Sequence, residues 1–302
     1  MDSSQYSDGE SGHFVTLETE SVRARVAGLL AAVVYYLGAL LLALALIASA
    51  RAVSDGERAL SRLDSAEERT DTLLKGWMET LSLGFYDGAR DKAQDRSRIE
   101  RSASSHRRDV AALSWVLGTV SGLFLLLAWL MTRAHRDATH RVLLHLHGVA
   151  GICLLVGLLA PMLSVVARSE VAVLGRVVLQ FEAKGILDTV CALIHGGNLF
   201  TGVLLALFSV LVPVGKLSLS FCALLWPAGV FHGRCLKLVK TVGKWSMTDV
   251  FVVAILLAFL ALGDGALTDA RLGPGLYYFA AYGLLSFAGG MALAASRDVP
   301  TT

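Results

Sequence analysis

Charged side chains are scarce, only 17% of these 302 residues against 55% hydrophobic, where a soluble domain carries about 25%. Mean hydropathy is positive, at +0.60. That balance excludes an ordinary water-soluble chain and points to a membrane protein. Basic charge is short as well: the net charge is +2 and there is no long basic arm, so nucleic acid is not an expected partner. Cysteine is limited to Cys153, Cys191, Cys222 and Cys235, with no C-x-x-C pair, which excludes a zinc ribbon and leaves them as small apolar residues. No nucleophile–base pairing, nucleotide loop or metal spacing is present, so no enzyme, metal or cofactor is expected.

What is there is long uncharged runs. A helix rising 1.5 Å per residue needs about 20 apolar residues to cross about 30 Å of hydrocarbon, and six runs qualify: 26–50, 110–132, 142–167, 199–226, 247–263 and 275–296. Arg133, Arg136 and Arg141 fill the connection between spans two and three; Arg234, Lys237, Lys240 and Lys244 fill the one between spans four and five. The positive-inside rule puts both in the cytoplasm, and with them both termini. Arg23 and Arg25 precede an apolar run ending in Ala48-Ser49-Ala50, as in a secretory signal. A signal's core is about 7–15 residues, so this longer run reads as an uncleaved anchor, 23–52.

Residues 1–22 hold five acids and no Lys or Arg, a composition that reads as a disordered cytoplasmic tail. Segment 53–109 reads as an extramembrane helical hairpin: Leu60, Leu63, Leu73, Leu74, Trp77, Met78 and Leu81 recur at helical spacing, Gly84 to Gly88 break the pattern, and a polar helix follows from Ala89 to about His106. Its apolar stripe packs on its own partner helix or the membrane surface, or else docks a protein. Segment 110–141 supplies the second span and a cytoplasmic loop. His135, His140, His145 and His147 crowd one membrane edge, but their spacing does not bring three to one helical face, so they read as interfacial without a ligand role. Beyond span three, 171–183 alternates like a strand and 185–195 reads as a short amphipathic helix, ended by Gly196 and Gly197, with Asn198 placed to cap the next span. The fold class is thus an all-α polytopic membrane protein with about six transmembrane helices and an outer hairpin.

Span four holds Lys216 about 15 Å from its cytoplasmic end. Ser209, Pro213, Lys216 and Ser220 fall at i, i+4, i+7 and i+11, one stripe on which Pro213 cannot donate to the carbonyl of Ser209. Ionisable residues at such depth usually serve function, with a structural ion pair as the other reading. Span five opens with Ser246-Met247-Thr248-Asp249, a capping-box pattern close behind Lys244. Only 14 uncharged residues separate Asp249 from Asp264, about 21 Å of helix, which draws the aspartate inward. Capping alone, or capping plus a charge pair with Lys216, both fit. Span six carries Ser286, Gly290 and Ala294 at intervals of four, which permit close helix contact.

"FSVLVPVGKLSL" (208–219), "GKWSMTDVFVVAIL" (243–256) and "GDGALTDARLGPGLYYFAAYGLLSF" (263–287) resemble the membrane module of the paraquat-inducible protein A family, with "LLAPMLSV" (158–165) and "GILDTVCALIHGGNLFTG" (185–202) fitting the same module. The likeness covers about 142–296, leaving 297–302 as a tail. It implies a bacterial inner-membrane protein that moves phospholipid or another lipid across the envelope, beside a periplasmic mammalian-cell-entry-domain protein. The better-known members carry two modules, each behind a zinc ribbon. A single module here implies a homodimer as one arrangement. Two other function classes stay open: a non-transporting membrane scaffold, and a small-ion or proton pathway through Lys216 and Asp249.

Overall fold

The computed structural model describes residues 8–65, 70–75, 78, 88–132, 138–171, 175–225 and 268–295. The fifth expected span, 247–263, and the tail 297–302 lie outside them. Helix α1 runs Asp8–Leu63 and α2 runs Gly88–Thr132, 56 and 45 residues long. Both exceed the roughly 20 residues of a crossing. Extensions of spans one and two therefore form much of the hairpin, and residues 70–75 of the expected amphipathic helix are helical as well. No proline interrupts either transition, and an established helix propagates more easily than a new one nucleates. The same propagation applies at the other end: α1 begins at Asp8, so helix extends into the segment that composition reads as a disordered tail.

The chain divides into two compact units, Met1–Leu42 and Ala43–Thr302. In the first, Leu29, Val34 and Leu41 are each about two-thirds exposed, a surface suited to hydrocarbon and a liability in water. The Tyr35 and Tyr36 rings meet edge to face at 5.1 Å.

In the second unit, the end of α1 lies antiparallel to the start of α2. Gly56 lets them approach: a Cβ there would stand 3.2 Å from the Ala103 Cβ. Arg96 Nη1 pairs with Asp64 Oδ1 at 2.9 Å, and Arg107 pairs with Glu57.

Helix α3, Ala138–Leu159, is followed by strands β1, Leu163–Val171, and β2, Gly175–Lys184. The expected third span, 142–167, is thus too long by its last residues. Pro161 cannot continue the helix, and the Ser164-Val165-Val166 that follows pairs as strand; a short apolar run reads alike in either state. Strand β3, Thr268–Leu272, completes an antiparallel sheet of order β2-β1-β3, with Ser164 opposite Ala183 and Arg271. The hairpin docks on this sheet. Val178 N–H donates to Asp64 O at 3.0 Å, and Arg58 Nη2 donates to Ala183 O at 3.1 Å.

Helix α4, Ile186–His195, ends at Gly196 and at Gly197, whose φ of +82° favours glycine. Helix α5, Leu199–Ala206, passes through a π-helical turn, Leu207–Leu211, into α6, Val212–Leu225; α7 spans Pro274–Ala295. Asn198 sits at the start of α5 without a side-chain capping bond. Among the described residues, five helices are long and apolar enough to cross a membrane, as the fold class requires. Helices α3 and α7 touch closely: a Cβ on Gly157 would fall 2.8 Å from the Phe279 backbone.

Candidate functional site: a polar layer between two apolar clusters

Three helices present seams at spacings of three and four. On α3 the seam is Leu143, His147, Ala150, Leu154 and Leu158; on α6 it is Pro213, Lys216, Ser220 and Ala223; on α7 it is Phe279, Tyr282, Ser286, Gly289 and Leu293. Such spacing holds residues on one helical face. All of these positions are buried. At one end Leu143, Ala223, Leu224 and Leu293 form an apolar cluster, and at the other Ala150, Leu154, Leu158, Phe279 and Tyr282 join Ile186 and Val190 of α4 in a second.

Between the two clusters lie His147, Lys216, Ser220 and Ser286, none more than 3% exposed. The His147 ring packs against Gly289, where a Cβ would come within 2.7 Å of its Cε1, and meets the Phe221 ring edge-on at 6.3 Å. Lys216 is close enough to His147 for their charges to interact. Leu143 O accepts a hydrogen bond from His147 Nδ1 at 2.8 Å, so the neutral ring carries its proton there and leaves a lone pair on Nε2. That Nε2 is buried with no hydrogen-bond partner among the described residues. An amine, two hydroxyls and an imidazole lone pair in a low-dielectric layer can pass a proton or hold a polar group, and such residues are costly to keep inside a membrane.

Of the expected site residues, Pro213, Lys216 and Ser220 share this layer's face. Ser209 does not continue their stripe cleanly. It lies in the π-helical turn, where Val212 N–H donates to Leu207 O, and it is half-buried. A π turn inserts a residue and rotates what precedes it, which is a usual answer to a proline that lacks its N–H. Lys244, Ser246, Thr248 and Asp249 all lie outside the described residues.

His147 and Ser286 complete the layer, and sequence reasoning does not place His147 there. Spacing among the four histidines alone does not reveal it. The telling signal was that His147, unlike His145, falls on the Leu143–Ala150–Leu154 seam; His145 instead meets Phe124 of α2 at 5.0 Å. Small-residue contact in α7 likewise runs through Gly289, while a Cβ on Gly290 would meet nothing within 4 Å. Among the described residues no three His, Cys, Asp or Glu side chains group as metal ligands. Cys153 and Cys222 pack against the two clusters, whereas Cys191 is exposed.

Residues 173–297 match the family model of paraquat-inducible protein A. A protein of Haemophilus influenzae described as a probable intermembrane transport protein is 28% identical over 102 residues, which is 32% of this chain and 24% of that relative. The chain therefore spans about a quarter of that relative's length. No solved structure matches.

Proposed function

Because residues 173–297 carry a paraquat-inducible protein A domain, we propose that this protein is the membrane subunit of an intermembrane transporter that moves phospholipid or another lipid through the bacterial envelope. It resides in the cytoplasmic membrane, with both termini inside and the helical hairpin outside. Its partner is a periplasmic mammalian-cell-entry-domain protein that receives or delivers the lipid. The similarity to an intermembrane transport protein supports this reading. The observation that carries it is the buried layer of Lys216, Ser220, Ser286 and His147 inside a membrane-embedded three-helix unit.

A scaffold gains nothing from holding an amine and an imidazole at such depth, since apolar residues of similar volume pack as stably. A transporter does gain, because buried polar groups allow two packings of similar energy between which a gradient can choose. Transfer of a fluorescent phospholipid from vesicles bearing the chain and its partner to acceptor vesicles tests the reading. Wild type should exceed protein-free vesicles by at least tenfold, and Lys216→Ala should fall to that background while remaining folded. Equal transfer by wild type and Lys216→Ala would overturn it.

A further inference from the structure

The seam between the hairpin and the sheet holds an open cavity of about 180 Å³. Three elements each turn one face to it. Glu57 and Leu60 come from successive turns of α1, Asp64 from the turn just past its end, and Arg96 and Arg107 from α2. The sheet gives Ser164 and Val166, two residues apart on β1, with their cross-strand partners Arg271 and Phe181. A shared face follows from that register, because side chains alternate along a strand and directly paired residues point the same way.

The chemistry of the lining is amphiphilic. Leu60, Val166, Val178 and Phe181 supply an apolar wall, while three guanidinium groups stand against two carboxylates. Arg96 meets both Asp64 and Glu100, and Arg107 meets Glu57. Both arginine side chains are about half exposed, at 46% and 50%, while Asp64 and Glu57 are 21% and 16% exposed, so an incoming anion meets the open side of each guanidinium and shares it with the carboxylate. Guanidinium groups suit a tetrahedral oxyanion because they can donate two parallel hydrogen bonds.

We propose that this cavity is a binding site for a phosphate-ester anion of lipid-headgroup size, received by Arg271 together with Arg96 and Arg107. Size limits the ligand. At about 30 Å³ per water the space equals roughly six waters, room for a phosphate with a short polyol, whereas pockets that enclose a whole drug-sized ligand run to about 300–1,000 Å³. Position favours a headgroup too. Arg271 and Ser164 pair one residue beyond Leu163 and Leu272, and those strands lead directly from the end of α3 and into the start of α7. The site thus opens where two membrane helices reach the bilayer edge.

The site takes its ligand class from the lipid-handling reading but requires no transport, so the two can fail separately. The full chain, purified in detergent, is titrated with dihexanoyl phosphatidylglycerol, with glycerol 1-phosphate and with phosphate-free dihexanoyl glycerol. Saturable binding is expected for the phosphate compounds alone, weakened at least tenfold by Arg271→Gln and unchanged by Arg101→Gln, at an exposed arginine of α2 outside the lining. Tighter binding of the short-chain lipid assigns the anion to a membrane source; equal binding of glycerol 1-phosphate assigns it to a soluble one, and both support the site. Ser164→Asp, which adds a carboxylate without removing an arginine, should weaken binding as much and guards against a folding defect in Arg271→Gln. The proposal is overturned if neither phosphate compound saturates, or if both variants bind like wild type.

Discussion

The Tyr282 hydroxyl donates to the Pro213 carbonyl at 2.9 Å, joining two helices across 69 residues of sequence. Both residues are buried. The bond fastens α7 to α6 just where the π-helical turn ends and the polar layer begins. Pro213 brings no N–H to the helical ladder before it, so a tie from α7 reinforces α6 at this turn, where hydrocarbon offers no water.

Tyr282→Phe removes that donor while keeping the ring that packs against Phe279 at 6.1 Å. A net loss of about 1 kcal/mol in stability is expected, the usual worth of one internal hydrogen bond. Reversible unfolding in detergent or by denaturant reads it directly. An unchanged midpoint would mean that the bond contributes nothing to holding the two helices together.

Gly289 is the contact on which His147 depends. A methyl group there would stand 2.7 Å from the imidazole, whereas the neighbouring Gly290 has open space. Gly289→Ala should destabilise by about 1–3 kcal/mol through overpacking, and Gly290→Ala by much less. Combining Gly289→Ala with His147→Ala should cost clearly less than the sum of the single changes, because the second removes the group with which the first collides. Additive losses would separate the two residues.

The sequence makes the membrane class and most spans legible because hydrocarbon imposes one strong requirement, a long uncharged run. It also shows the stripe of Pro213, Lys216 and Ser220, since three residues on one helix need only the helical period. What it hides is pairing between distant segments. Strand β3 at 268–272 has no partner until β1 is placed beside it, and β1 itself looks like the last turns of a helix. His147 hides for the same reason. Its role depends on Gly289 and Lys216, 142 and 69 residues away, and no local pattern reports either. The π-helical turn is only half legible: Pro213 announces a disturbance of the helix but not its form.

The proposed membrane orientation rests on the arginines of 133–141 and the basic run of 234–244, and it predicts that the hairpin is outside. Ser105 lies exposed on α2 well beyond its apolar stretch. A single cysteine introduced there as Ser105→Cys, in a chain with its own four cysteines replaced by Ala, should react in intact cells with a thiol reagent that cannot cross the inner membrane. Protection in intact cells and reaction only after lysis would reverse the orientation.

The remaining prediction joins Lys216 to Asp249. Lys216 is 3% exposed, on the face that carries Pro213 and Ser220, so an opposite charge within reach would offset much of the cost of keeping it ionised. Asp249 lies outside the described residues; by sequence its expected span has only about 21 Å of uncharged helix against roughly 30 Å of hydrocarbon, and the expectation is that this draws the carboxylate toward the lysine's level. If the two form a pair that opens and closes during transport, each is useless without the other. Lys216→Ala and Asp249→Asn should each abolish lipid transfer while leaving folded protein in the membrane, and the double variant should lose little more than either alone. Protonation of the aspartate would then act as Asp249→Asn does, releasing the lysine and biasing the helices toward a second packing. Transfer assays run beside thermal unfolding separate this from a purely structural part. Should Asp249→Asn lower the unfolding temperature by a few degrees and leave transfer intact, the aspartate serves only as the cap of its helix.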